Sequence, residues 1–241
     1  MDRLVEQFAA QLPAEMAPQA APGTWQVALR YLPAPCEILI AGAGRGGLSW
    51  LLDREGFTVT SLDLHPDHFV APSLTCQQAD FNESLPLASD SLDCVVAVEV
   101  VEHLEAPLFF LREAIRVLRP GGMLIFTSPN VASLPARLLF LRAGLLPYFR
   151  PESFFGCYHV TPIFPWTVER WAGTTSARLE AVDYSRANWP DRKDVPRHWE
   201  RRWKRVLKRL LPVNSLTGEI SCYVIRKTAE GAAIERGVHY R

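Results

Sequence analysis

Apolar and polar positions change rhythm several times along this chain, and each change marks an element. Leu4, Val5, Phe8 and Leu12 share one side of a helical period, so residues 1–12 predict a short amphipathic helix. Residues 13–23 are rich in Pro and Ala and read as a linker. A second helix is expected from Thr24, an N-cap type of residue, to Leu32, with Pro33 and Pro35 ending it. A regular alternation then begins. Glu37–Ala41 is a short apolar run stopped by glycine, the mark of a buried strand. Gly47–Glu55 has helical spacing and stops at Gly56. Thr58–Leu62 is β-branched and alternating and ends at Asp63. After a weaker stretch, Asp93–Val98 is almost unbroken in apolar character, as expected of a strand covered on both faces. Pro107–Leu118 has helical periodicity and halts at Arg119-Pro120-Gly121-Gly122, and Met123–Thr127 is another strand.

Strand, helix, strand, helix, strand at these spacings means βαβ units and a parallel sheet, hence an α/β doubly wound fold. After Pro129 the rhythm breaks. Residues 131–160 mix Leu138-Leu139-Phe140-Leu141 and Leu145-Leu146 with Pro147, Pro151 and further aromatics, and read as a helical insertion packed over the sheet edge. A helix at Thr167–Ala172, a strand at Leu179–Tyr184 and a last strand at Gly218–Arg226 resume the fold, followed by a tail expected to be loosely ordered. The organisation is therefore an N-terminal helical extension, 1–35, and one domain, 36–241, interrupted at about 131–160.

Composition narrows the class. Of the 241 residues 48% are hydrophobic and 22% charged, enough apolar material for a sizeable core and too little charge for wholesale disorder. No leader-like apolar region opens the chain and no run of apolar residues is long enough to span a bilayer. Five scattered cysteines with no CxxC pair argue for reduced thiols, which points to a cytoplasmic protein. The formal net charge of zero conceals a split. Residues 1–130 carry 7 Lys/Arg against 16 Asp/Glu, and residues 131–241 carry 19 against 10, so the two halves stand at −9 and +9. Either the basic half faces something anionic, or the charges even out in three dimensions.

The strongest chemical signal is Gly42-Ala43-Gly44-Arg45-Gly46-Gly47 between a strand and a helix. Glycines there allow tight backbone angles and close ligand approach, and the helix start offers unpaired N–H groups. Asp63 follows Gly42 by 21 residues, at the end of the next strand, where a ribose diol is held in doubly wound folds. These features predict a nucleoside-containing cofactor and leave open which one. Further on come Gln77-Gln78-Ala79-Asp80-Phe81, then Ser91-Leu92-Asp93-Cys94-Val95-Val96, then Leu118-Arg119-Pro120-Gly121-Gly122-Met123-Leu124. In this order and spacing the chain resembles the class I S-adenosylmethionine-dependent methyltransferases, closely over about 36–130 and loosely over 159–226. The resemblance implies a mostly parallel seven-stranded Rossmann-like sheet and S-adenosylmethionine as cofactor. It also implies roles: Gly42, Gly44 and Gly46 along the methionine and ribose, Asp63 on the ribose hydroxyls, Asp80 and Phe81 at the adenine, and Glu99 beside the cofactor. Where the family usually has an acid two residues before the first glycine, this chain has Ile40, a departure that keeps a non-catalytic nucleoside-binding relative among the readings.

Val98-Glu99-Val100-Val101-Glu102-His103 follows the fourth strand, so two carboxylates and an imidazole stand at the carboxyl end of the sheet. Oxygen and imidazole ligands suit Mg, Mn or Zn. A second histidine, His159, lies beyond the insertion. The Glu-x-x-Glu-His pattern is similar to that of the ubiquinone-type O-methyltransferases and of the small-RNA terminal 2′-O-methyltransferases, and the latter imply a metal set at Glu99, Glu102, His103 and His159. The candidate catalytic residues are His103, His159 and Glu102, with a histidine of near-neutral pKa as base. The expected reaction is O-methylation of a small-molecule, lipid-linked or glycan acceptor, with a metal-dependent RNA or quinone-type reaction as the alternative. Substrate recognition is expected in 131–160. Residues 197–211, with Trp199, Trp203, Val206, Leu207 and Leu210 at helical spacing among seven Lys/Arg, predict a basic amphipathic helix suited to an anionic membrane surface. No nucleic-acid-binding module is recognised, so nucleic acid is not an expected partner.

Overall fold

The computed structural model describes residues 12–16, 23–151, 158–185 and 215–229. Of the amphipathic stretches expected at 1–12 and 197–211, residues 1–11 and all of the second lie outside these residues, as does Cys157.

Seven strands form one sheet: β1 Glu37–Ala41, β2 Thr58–Asp63, β3 Cys76–Gln78, β4 Leu92–Val98, β5 Leu118–Pro129, β6 Ala177–Tyr184 and β7 Ile220–Lys227. Their order is β3-β2-β1-β4-β5-β7-β6. The first five pair in parallel, whereas β7 runs antiparallel to both β5 and β6. Five helices accompany them among the described residues: α1 Thr24–Leu29, α2 Gly47–Arg54, α3 Pro107–Val117, α4 Leu134–Ala143 and α5 Pro165–Gly173.

The apolar runs read as buried strands are buried for a simple reason. Alternate side chains of β1 enter opposite layers, Leu39 and Ala41 on one side, Ile38 and Ile40 on the other. The first layer is closed by α3 and α5 through Phe110, Leu111, Ala114, Val168 and Ala172. The second is closed by α1 and α2 through Val27, Leu29, Leu48, Leu51 and Leu52. α1, part of the N-terminal extension, is thus an integral part of the core beneath the sheet. None of the described helices is long and apolar enough to cross a membrane.

Several local details differ from the sequence expectation. α1 starts after Gly23, which takes φ 94°, and Thr24 is buried inside the helix rather than capping it. β3 lies in the stretch that has no clear pattern. It is a three-residue edge strand with half-buried and exposed side chains, so it leaves no apolar period to read. β5 begins at Leu118, through the Arg119–Gly122 turn rather than after it, with Gly121 at φ +84°. The end of α3 is closed from outside the helix, since Asp90 N and Ser91 N donate to the carbonyls of Arg116 and Val117.

The order places β1 and β4 side by side in mid-sheet, with the chain having gone first to β2 and β3 and then back across. The crevice at their carboxyl ends is the topological switch point, where doubly wound folds take their ligands. Both chemical motifs of the sequence start there.

Candidate active site

The glycine loop leaves β1 at Ala41 and enters α2 at Gly47. Its backbone is held by the end of β2: Gly42 N and Ala43 N both donate to Leu62 O, at 2.9 and 3.1 Å. Asp63 Oδ2 accepts from Gly44 N at 2.7 Å, and its Oδ1 accepts from His65 N at 2.8 Å. The loop is therefore braced by the neighbouring strand and not by residue 40, since Ile40 is 2% exposed and packs in the layer facing α1 and α2. Arg45 adds a tie to the N-terminal segment through Glu15 O.

Two glycines show what the loop requires. Gly42 takes φ +74°, and a Cβ there would collide with the Cγ2 methyl of Val100. Gly44 takes φ +53°, and a Cβ there would meet nothing within 4 Å, so this part of the loop borders open space. That opening, with Asp63 at its side and the start of α2 behind it, fits a nucleoside-bearing ligand. Asp80 stands after β3, one strand further out, with Oδ1 accepting from both the backbone and side-chain nitrogens of Asn82. Phe81 is different from what its expected adenine role requires. Its ring is 5% exposed and sits edge-on to Phe110 at 5.5 Å, within the core, which leaves only its backbone for a ligand. Asn82 carries a role the sequence does not advertise: its Oδ1 accepts from Glu105 N and Ala106 N and ties this loop to the start of α3.

The Glu-rich segment follows β4 and touches the glycine loop through Val100. Glu99 is held at φ +54°, a rare state for a residue with a side chain. Thr127 of β5 explains it. Glu99 N donates to Thr127 Oγ1 at 3.0 Å, and that hydroxyl donates to Glu99 Oε1 at 2.9 Å. Burial, aided by the nearby charge of Glu219 and opposed by the Thr127 bond, raises the Glu99 carboxyl to about 7.

Val101–His103 forms a single 3-10 turn. The Glu102 side chain is fully buried, and its backbone carbonyl accepts from Val160 N and Thr161 N at 2.9 and 3.0 Å. These two bonds bring the end of the insertion back against the turn. As a result His159 meets His103, with ring centroids 4.7 Å apart and edge-on. His103 Nδ1 lies 3.2 Å from Tyr158 O, and His159 Nδ1 lies 3.1 Å from Tyr148 O. A carbonyl only accepts, so in each neutral ring the proton sits on Nδ1 and the lone pair on Nε2. Glu102, His103 and His159 each offer a ligand atom, and these atoms lie within 4.8 Å of one another. Glu99 stands outside that group, its carboxyl engaged by Thr127. Burial, reinforced by His103, pushes His159 down to about 4, well below the near-neutral value expected of a base at this position.

Tyr148, one of the aromatics of the insertion, completes this wall. It takes φ +67°, its hydroxyl donates to Glu219 Oε1 at 2.5 Å, and its carbonyl serves His159.

A doubly wound sheet with a glycine loop, Asp63 beside it and a polar cluster across the switch point fits a nucleoside-bearing ligand. Comparison with known proteins specifies which. A family model described as a methyltransferase domain matches residues 39–126. The ubiquinone biosynthesis O-methyltransferase of Xanthomonas campestris pv. campestris (strain B100) is 29% identical over 166 residues, covering 65% of this chain and 68% of that protein. The malonyl-[acyl-carrier protein] O-methyltransferase of Enterobacter lignolyticus (strain SCF1) is 36% identical over 111 residues, 41% of each. Among solved structures, a SAM-dependent methyltransferase from Archaeoglobus fulgidus superposes with a TM-score of 0.56 at 20% identity, over 85% of this chain and 94% of that one. An S-adenosylmethionine-dependent methyltransferase from Mesorhizobium loti gives 0.58 at 16% identity, over 86% and 98%. At these identities the structures establish the fold. Residues 39–126 thus match a methyltransferase domain, and the chain has the fold of S-adenosylmethionine-dependent methyltransferases.

Proposed function

We propose that the protein transfers a methyl group from S-adenosylmethionine to an oxygen of a small-molecule, lipid-linked or glycan acceptor, with His103 as the base. The observation that carries this reading is the imidazole pair: His103 and His159, 4.7 Å apart, beside Glu102 and joined through Val100 to the glycine loop. Gly42, Gly44 and Gly46 with Asp63 and Asp80 would hold the donor, and Glu99 lies at the same edge. The bound donor supplies a sulfonium-activated methyl group.

The chain's own work is then alignment and proton removal. Holding a hydroxyl in line with the methyl group accounts for the larger part of the rate, and a positioned base contributes on the order of 10²–10⁴-fold. His159 stays neutral because burial and His103 lower its pKa to about 4. It suits the task of packing edge-on against His103 and orienting that ring, so that His103 Nε2 accepts the hydroxyl's hydrogen bond. His103 is then the ring that takes the proton. Both named relatives are O-methyltransferases, which supports oxygen as the methylated atom. The free cysteines Cys36, Cys76, Cys94 and Cys222 support a cytoplasmic setting.

The test is twofold. Calorimetry with S-adenosylhomocysteine should show binding that Asp63→Ala weakens about tenfold or more, the scale of hydrogen bonds to a charged group. Isotope-labelled methyl groups transferred to acceptors in a cell extract should be found on oxygen by mass spectrometry and NMR. Methyl groups found only on nitrogen or carbon would sink the reading.

The clustering of the three ligand atoms within 4.8 Å favours a second version, in which Glu102, His103 and His159 hold a divalent cation. Such a cation would acidify the acceptor hydroxyl. In that version the acceptor is of the quinol or ribose 2′-hydroxyl type. Mg, Mn or Zn should then raise the melting temperature of the wild type and leave His159→Asn unchanged. Activity indifferent to chelators would rule it out.

A further inference from the structure

α4 is turned the opposite way from an ordinary surface helix. Its covered side holds only the small Ala136, fully buried, with Leu139 half-buried. Its outer side carries Leu134, Leu138 and Leu141, which at spacing i, i+4, i+7 line up as one stripe. They are 43%, 58% and 84% exposed, so no described element covers them. At 3.6 residues per turn, Arg137 and Arg142 fall about 70° to either side of the stripe. A lone exposed leucine needs no explanation, but an apolar stripe between two cations on the outer face of a helix does.

The helix is also firmly mounted. Ser133 Oγ accepts from Ala136 N at 3.4 Å, Gly144 closes the other end at φ +66°, and Leu134 N donates to Leu216 O at 2.9 Å. It follows directly from the carboxyl end of β5, the edge of the sheet that carries the candidate active site.

We infer that α4 docks through Leu134, Leu138 and Leu141 onto an anionic lipid surface. The geometry is that of a helix lying in a bilayer interface, with leucines entering the acyl boundary and arginine stems lying beside them so that the guanidinium groups reach the phosphate level. The helix's own charge has the matching sign, since α4 carries Arg137 and Arg142 and no acidic residue. A second copy of the chain is a poorer occupant, because pairing two such stripes would set the flanking arginines against one another. The docking itself does not depend on the acceptor. Its consequence does rest on the O-methyltransferase reading: with this edge at a membrane, the lipid-linked member of the proposed acceptors is the one within reach.

The experiment is co-sedimentation of the full chain with vesicles of phosphatidylcholine alone and of phosphatidylcholine with phosphatidylglycerol. Binding should require the anionic lipid and weaken with salt. Leu138→Ser with Leu141→Ser should reduce partitioning at least about tenfold. Arg137→Gln with Arg142→Gln should reduce it about fivefold per arginine. Both pairs are on the exposed face, so S-adenosylhomocysteine affinity should stay as in the wild type, which separates this result from any failure of the enzymatic reading; the leucine pair should keep the wild-type melting temperature, and the arginine pair should lose slightly, since Arg137 Nε donates to Ala132 O at 2.8 Å. The inference is overturned if the wild type ignores anionic vesicles, if neutral vesicles bind equally well, or if the leucine variants bind like the wild type because another segment does the work. It is likewise overturned if the leucine variants dissolve a dimer in sedimentation while vesicles go unbound.

Discussion

Gly42 and Gly44 occupy the same loop and both have positive φ, yet they face different surroundings, and their replacement should separate folding from binding. Gly42→Ala puts a methyl into Val100 on top of the backbone strain, so it should destabilise by several times the ~1 kcal/mol that left-handed alanine costs by itself. Gly44→Ala has only the strain, about 1 kcal/mol, but its methyl stands in the open space beside Asp63. Its melting temperature should fall slightly while S-adenosylhomocysteine affinity, read by calorimetry, falls about tenfold or more. The titrating residues make pH predictions of opposite sign. Glu99 has its folded pKa raised from 4.5 to about 7, so the native state keeps a proton that the unfolded chain releases, and stability at this site declines as pH rises through that window. Glu99→Gln lacks that loss and should gain on the wild type, by on the order of 1–3 kcal/mol, between about pH 5 and about pH 8 in denaturant titrations. His159 has its folded pKa lowered from 6.5 to about 4, so its contribution is present above 6.5 and is lost as pH falls toward 4. His159→Asn should remove that acid-side slope. A pH-independent difference from wild type in either variant would show that the group titrates as it does in the unfolded chain.

At the scale of elements, Asn130 ties the start of the insertion to the segment that leads into β7. Asn130 is 5% exposed, its Nδ2 donates to Ser215 O and Gly218 O at 3.0 and 2.9 Å, and its Oδ1 accepts from Ala132 N at 3.1 Å. Asn130→Ala leaves these backbone groups without that partner and should cost about 3 kcal/mol in chemical denaturation. The cofactor loop is braced independently by β2, so S-adenosylhomocysteine affinity should hold while methyl transfer drops. A loss of affinity equal to the loss of turnover would mean that the insertion and the loop are one unit. Elements also show the reach of pattern reading. β1, β2, β4, α2 and α3 lie close to where periodicity puts them, because each is long enough to bury a full apolar face. β3 and the turn at Val101–His103 escape it, since three residues make neither a period of two nor one of 3.6. α4 was legible as apolar and helical, but which side faces the protein was not. Its leucines and arginines repeat as regularly as those of a buried helix, and only the small area it rests on turns them outward.

Across the whole molecule, the two apolar layers share the seven strands, so damage to one should be felt in both. Tyr223 on β7 is fully buried, stacks on Phe126 with centroids 4.8 Å apart, and donates to Ile163 O at 3.4 Å. Tyr223→Ala should destabilise by about 3–5 kcal/mol, and circular dichroism and tryptophan fluorescence should still report one coincident transition. Two separated transitions would show that the layers unfold apart. The sequence by itself determined the βαβ rhythm, the glycine loop and Asp63, because these depend on short-range facts: apolar runs long enough for a doubly covered strand, and glycines where the backbone needs positive φ. It also placed Glu102 and His103 at the carboxyl edge. Only the tertiary structure decided that β7 would enter antiparallel between β5 and β6, that Thr127 would hold Glu99 in its strained turn, and that His159 would come back to face His103. The reason is physical: each of those depends on the chain returning from far along its length, and the hydrogen bonds that bring it back, such as Val160 N and Thr161 N to Glu102 O, use backbone groups that every residue carries.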